Sequence, residues 1–404
     1  MQKEAIIAAI DGALEATRGT SLDDRGTSVE DHEFKLGMLL HYAVDEPKRV
    51  DPRIPDLITT LATDYSLEIF NGRMVVWPSM AMRVEYRTLA GWLISRGSEV
   101  GSAQAADELA RYVDATEIPC LLTLALSGIK VEGPCDLADS VRMLPWDALP
   151  DSTSKRWIHR QSFAGFPIHF PTAAMVREEV LPKRHLTDDE FKTQTMRPID
   201  DTGLHDAILC AGMIGPTAPY PLASFLTAPP WVPVMTGGIG MPFSEGRPVI
   251  QDWSSIHCSE AAALHFAFLK LGKERKDLLR LAMQRLNRAM RRHFPVDAAI
   301  DLGIALEALF LSDLSEERGE PTFRLKIRAA RYLGSTKADR DALFNLVGDL
   351  YGARSSAVHT GRVSDQVGGR PIGDVLAEGY SVAAGAIRRM IIEGQPDWRR
   401  VMLG

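Results

Sequence analysis

The spacing of apolar residues changes along the chain. From Ser259 onward they recur at three- and four-residue intervals, the period of helices with one buried face. That spacing predicts helices over residues 260–271, 275–294, 296–311, 323–333, 339–359 and 372–392. Ser259 is a suitable N-cap for the first. Pro295, Gly334 and Gly361 mark helix ends, with Gly361 as a left-handed C′ residue.

The earlier part mixes periods. Ile6, Ile7, Ile10 and Leu14 share one side of a helix over residues 1–18. A polar loop is expected over 19–33, and further helices over 34–44, 81–95, 103–113 and 205–214. Residues 67–70 and 73–77 are apolar runs flanking Asn71-Gly72, a dipeptide suited to a two-residue hairpin. A second hairpin is expected from 120–126 and 129–132 around Ser127-Gly128, with short strands at 139–144 and 167–170. Between 215 and 250, Pro216, Pro219, Pro221, Pro229, Pro230 and Pro233 exclude a continuous helix. The fold class expected is α+β. A mixed α/β domain with β-hairpins occupies residues 1–250, and an all-α helical bundle occupies 259–394.

The 404 residues suit two domains better than one core. Composition is that of a globular protein, 45% hydrophobic and 25% charged. The net charge of −7 argues against a general polyanion binder, but the charge is uneven. From Leu271 on there are 22 Lys and Arg against 17 Asp and Glu, and before it 24 against 36. A basic C-terminal part is compatible with local RNA contact. The N-terminal helix lacks a basic start, and no apolar stretch is long enough for a span, so a cytoplasmic protein with no membrane association is expected. Cys120, Cys135, Cys210 and Cys258 form no Cys-x-x-Cys pair and no zinc spacing, which predicts buried reduced thiols. Neither a metal nor a cofactor is expected. Thr236-Gly237-Gly238-Ile239-Gly240 lacks the lysine and the setting of a phosphate loop. Asp188-Asp189-Glu190 after Thr187 reads as the first turn of a helix.

The candidate chemistry lies in Leu350-Tyr351-Gly352-Ala353-Arg354-Ser355 and the following His359-Thr360-Gly361. Arg354 is a permanent cation able to hold a phosphate through two N–H groups, and His359 can move a proton near neutral pH. The same spacing recurs at Arg288 and His293, so the flanking residues carry the argument. Glu307 interrupts an apolar stripe of Ile300, Ile304 and Leu311. It either pairs with Arg328, Arg331 or Arg354, or reaches water at the stripe's edge. Arg324, Arg328 and Arg331 recur on one helical face. That face could track an RNA backbone or simply be solvated.

Three segments together resemble the Apea-like HEPN family. The run from Ala298 through Ala305-Leu306-Glu307-Ala308-Leu309-Phe310 is similar to that family's "iaLEaL" helix. Arg328-Ala329-Ala330-Arg331-Tyr332-Leu333-Gly334 resembles its next helix, and Arg354-Ser355 with His359 resembles its signature. Thr360 departs from the glycine that many members carry after the histidine. The resemblance covers roughly residues 273–394. It implies a helical bundle that forms a homodimer, with arginine and histidine from two subunits lining one cleft that cuts RNA without metal. Arg354 would hold the scissile phosphate, and His359 would take the 2′-OH proton or protonate the leaving oxygen. Ser355 would support the phosphate, and Glu307, if paired with Arg354, would orient it. The function implied is a metal-independent endoribonuclease. A toxin or antiphage defence role comes from family analogy, with the N-terminal domain sensing a trigger or restraining the nuclease. The alternative is a non-catalytic HEPN module for RNA or partner binding and dimerisation.

Overall fold

The computed structural model describes residues 1–18, 29–78, 80–161, 170–195, 199–215, 217–233, 239–240, 255–313 and 321–403. In chain order, helices α1 (Lys3–Arg18), α2 (Val29–Asp45) and α3 (Arg53–Thr63) come first. Strands β1 (Met74–Trp77) and β2 (Met80–Arg83) follow, then α4 (Tyr86–Val100) and α5 (Ser102–Asp114). Next are β3 (Glu117–Ser127), β4 (Cys135–Asp136), β5 (Val141–Pro145), α6 (Thr153–Gln161), β6 (Ala173–Pro182), β7 (His185–Leu186) and α7 (Asp188–Lys192). After α8 (Thr202–Gly212), β8 (Tyr220–Thr227) and β9 (Ile239–Gly240) come α9 (Cys258–Leu269), α10 (Lys273–Met290) and α11 (Pro295–Leu311). The chain closes with α12 (Pro321–Leu333), α13 (Lys337–Thr360), β10 (Gln366–Val367), β11 (Arg370–Pro371), α14 (Ile372–Glu393) and α15 (Trp398–Leu403). No helix among the described residues is long and apolar enough to cross a membrane.

The chain divides into two units, and the division is not a single cut near residue 250. One comprises Met1–Leu121, Glu178–Ile199 and Leu226–Gly238; the other comprises Leu122–Arg177, Asp200–Phe225 and Ile239–Gly404. Each unit is assembled from segments far apart in the sequence, which local sequence cannot announce.

In the first unit, α1 packs on α3, α4 and α5. Ile6, Ile10, Leu57, Leu61, Leu89 and Leu93 are wholly buried there. Each contributes about 1.5–3 kcal/mol of apolar burial. A three-stranded sheet has the order β2-β1-β7, with β1 antiparallel to both neighbours. The expected hairpin at Asn71-Gly72 is absent. Tyr65–Phe70 is a 3-10 turn capped by Asp64, and it buries Leu67 and Phe70. Residue 81, expected to start a helix, lies in β2, the true partner of β1. The acidic run after Thr187 does start a helix, with a reciprocal Thr187–Glu190 capping box.

A six-stranded sheet runs β4-β5-β6-β3-β8-β9. The expected hairpin at Ser127-Gly128 does not form. Gly128 has φ +74°, and a Cβ there would strike the Ala218 carbonyl. The chain instead runs on to Lys130, which makes a parallel bridge to Ser255. Strand β8 holds Pro221, within the segment whose prolines exclude a continuous helix. Residues 29–33 of the expected loop are helical and open α2, while 19–28 and residues 167–169 of the expected strand lie outside the described residues. A disulfide joins Cys135 on β4 to Cys258 at the start of α9, correcting the expectation of four thiols. Only Cys120 and Cys210 are free, and both are buried.

The C-terminal helices form in the predicted order, with α10 ending at Met290, before the end expected at 294. Helix α11 packs on α10, α12, α13 and α14. Its Leu302, Ala305, Leu306, Leu309 and Phe310 are almost wholly buried. Buried Asp301 binds Arg285 at 2.9 Å and Arg292 at 2.8 Å, so the carboxylate is paired twice. The helix expected to be capped by Ser259 starts two residues earlier, at Cys258, with His257 at its N-cap position.

Candidate functional site

Helix α13 is fixed at both ends. Thr336 and Asp339 form a capping box at its start, and Gly361 closes it at φ +67° with its N–H on the Ala357 carbonyl. Thr360 fits this end. Its hydroxyl donates to the Ser356 carbonyl at 2.7 Å and accepts the Arg362 N–H at 3.2 Å. The Ser356 hydroxyl donates to the Arg362 carbonyl at 2.9 Å. The last turn carrying His359 is therefore held without the glycine after the histidine.

Arg354 leaves α13 toward α11. Its stem rests on Gly303, where a Cβ would overlap the Arg354 side chain. Gly303 and Glu307 are four residues apart, on one side of α11. Arg354 Nη2 donates to Glu307 Oε2 at 3.1 Å, with the two side chains 25% and 27% exposed. Of the three partners open to Glu307, the structure selects Arg354. The Arg354 Nε is buried and has no hydrogen-bond partner. The guanidinium carbon lies 5.7 Å from the Tyr351 ring centre. Burial, and then the Glu307 carboxylate, raise the Tyr351 phenol above its ordinary range. Gly303 and Tyr351 are the residues that sequence reasoning missed. The one signal for Gly303 was a glycine inside a run of good helix formers.

His359 is exposed, and its side chain has no hydrogen-bond partner among the described residues. Five residues along a helix is about 7.5 Å of rise and about 140° of rotation. Arg354 and His359 of one chain therefore diverge. Ser355 is half-buried beside Arg354.

The three arginines of α12 do not form an exposed stripe. Arg328 is 3% exposed. It donates to the Phe310 carbonyl at 2.7 Å and to Asp313 at 2.6 and 3.1 Å, with its guanidinium 5.0 Å from the Trp398 ring centre. It is a structural clamp and is withdrawn from any RNA-facing surface. Arg324 is half-buried. Arg331 lines a separate cavity with three other arginines.

Of the other histidines, His185 is held between Tyr112 and Ile69, and His265 is wholly buried. Among the described residues no cluster of His, Cys, Asp and Glu could hold a metal ion. No family model, curated protein or solved structure matches the chain.

Proposed function

We propose that the protein is a metal-independent endoribonuclease of HEPN type, acting as a homodimer. One observation carries the reading. Arg354 is fixed by Glu307 through a single Nη2 bond, over a glycine that admits its stem, in the chain segment that also presents an exposed histidine. With Nε buried, Nη1 and the second Nη2 hydrogen are left to donate to a phosphate. Since Arg354 and His359 of one helix point apart, a second copy completes the pair around one phosphodiester.

In this reading the ribose 2′ oxygen attacks phosphorus, forming the P–O2′ bond as the P–O5′ bond breaks. His359 accepts the 2′-OH proton or supplies one to the leaving 5′ oxygen. Arg354 stabilises charge gathering on the non-bridging oxygens. The products are a 2′,3′-cyclic phosphate and a 5′-hydroxyl, and DNA is not cut. The N-terminal part serves as sensor or restraint, and a defence or toxin role follows by analogy alone.

A second reading has one observation of its own. Nothing among the described residues orients the His359 ring, which favours a HEPN module that binds RNA or a partner and dimerises without cutting. Labelled RNA incubated in EDTA with wild type, Arg354→Ala and His359→Ala separates the two. The nuclease gives cyclic phosphate ends that vanish in both variants, while His359→Ala retains RNA affinity. A folded dimer that binds RNA and never cuts it sinks the catalytic reading.

A further inference from the structure

A second cationic site lies in the same helical unit, built from other residues. Its cavity of about 410 Å³ is lined by Arg331 of α12, Arg340 of α13, Arg389 of α14 and Arg400 of α15, with Tyr332 and Glu393. Four guanidiniums thus meet one carboxylate. Two of the arginines are held in place by backbone. Arg340 Nε donates to the Gly334 carbonyl at 3.1 Å, and Arg389 Nη1 donates to the Tyr332 carbonyl. Gly334 is close-packed for this purpose, since a Cβ there would meet Arg340 Cγ at 2.7 Å. Glu393 is already committed, accepting Arg389 Nε at 2.7 Å. The side chains of Arg331 and Arg400 have no partner among the described residues.

A fifth arginine stands behind the wall. Arg275 places both Nη atoms 3.6 Å from where a Cβ on Gly394, a lining residue, would sit. Its Nε and Nη2 are buried without a partner, and so is the Tyr332 hydroxyl. Burial pulls the Arg275 guanidinium below its usual range. Converging cations with unanswered donors are a charge arrangement completed by an anion. The Tyr332 ring is already flanked by Arg389, 4.6 Å from its centre, and by Trp398 at 5.8 Å, so the lining favours charge over stacking with a base.

We propose that this cavity binds a small polyphosphate, a compact anion with two or more linked phosphoryl groups, recognised by Arg331, Arg340, Arg389 and Arg400. Planar guanidiniums suit phosphate oxygens through paired N–H bonds. The cavity has a molecule's size, and a small ligand fits it better than a tracked strand. The proposal does not depend on RNA cleavage at Arg354.

The test is calorimetric titration of the full-length protein with inorganic tripolyphosphate at about 0.15 M salt, where diffuse surface attraction is largely screened. Orthophosphate and citrate serve as comparison anions. Arg331→Gln and Arg400→Gln are the test variants, since neither removes a bond seen in the structure. Arg370→Gln is the charge control, its side chain pairing with Glu378 instead. The expected result is saturable tripolyphosphate binding that beats citrate, weakens at least tenfold in each test variant, and changes less than twofold in the control. No binding, equal citrate affinity, or equal loss in Arg370→Gln overturns the proposal. Displacement of tripolyphosphate by a 5′-hydroxyl oligoribonucleotide also overturns it, making the cavity part of an RNA path.

Discussion

Arg354 reaches Glu307 across the bare backbone of Gly303, so a cation on α13 is positioned by two residues four apart on α11. Adding one methyl at Gly303 would displace the arginine without touching its charge. Gly303→Ala should therefore lower RNA cleavage about as far as Arg354→Ala does, at a stability cost of about 1–3 kcal/mol from overpacking. Comparing cleavage rates with urea melts checks this. Full cleavage by a folded Gly303→Ala protein would remove Arg354's placement from the mechanism.

Glu307→Gln keeps the shape and an acceptor but removes the charge. The pair is about one-quarter exposed, so stability should change by under about 1 kcal/mol. Cleavage should fall about tenfold as the guanidinium loses its fixed orientation, with RNA affinity unchanged or slightly raised by the lost negative charge. A fall in stability without a fall in cleavage would make Glu307 merely structural.

The helical part was legible because its signals are local. Gly334 and Gly361 follow helices that end where expected, whereas α10 stops at Met290 and Pro295 opens α11 instead of closing the helix before it. In α11 the expected stripe of Ile300, Ile304 and Leu311 is only half-buried, and the buried face is Leu302, Leu306, Leu309 and Phe310. The hairpins were not legible, because pairing is decided by distant partners. Asn71-Gly72 has the local chemistry of a turn, yet Leu67 and Phe70 bury themselves through a 3-10 turn and β1 finds β2 instead. Arg324, Arg328 and Arg331 show the same limit at side-chain level. Their spacing fixed a shared face of α12, but the docking of Trp398 decided that Arg328 is covered. Glu307's need for a partner was readable from its apolar stripe. Its choice of Arg354 depended on the gap at Gly303.

Arg328 leads to an opposite pair of outcomes from Arg354. Replacing it by alanine removes its bonds to Asp313 and to the Phe310 carbonyl and its packing on Trp398. Stability should fall by about 2–4 kcal/mol. RNA affinity per folded molecule should stay within twofold of wild type. Weakened binding by a fully folded Arg328→Ala protein would return this residue to the RNA-facing set.

The Cys135–Cys258 bridge closes a loop with a sequence separation of 123 residues. Its reduction should lower stability by about 2–4 kcal/mol. Thiol titration of the denatured, unreduced protein should find two groups, Cys120 and Cys210, and four after reduction. Four thiols before reduction would show that the bridge does not form.

His185 links pH to the stability of the first unit. Its Nδ1–H donates to the Ile69 carbonyl at 2.9 Å, and its Nε2 accepts the Tyr112 hydroxyl at 2.8 Å. The neutral ring is therefore fully bonded. Burial, reinforced by Lys183 and Arg73, holds it down to about 4 from the ordinary 6.5, although the Ile69 bond pulls the other way. Above pH 6.5 both folded and unfolded states carry a neutral ring, and its full contribution is present. Between pH 6.5 and 4 the unfolded chain takes up a proton that the folded one refuses, so stability falls as pH falls. The loss should approach about 3 kcal/mol and level off below pH 4, where the folded ring protonates too. Other groups titrate in the same window, so the informative quantity is the difference between wild type and His185→Gln. Urea melts of both at pH 7, 5.5 and 4.5 should show the gap between them narrowing with acid. A gap that stays constant across that range would mean that the folded His185 ring takes up its proton as readily as the unfolded one.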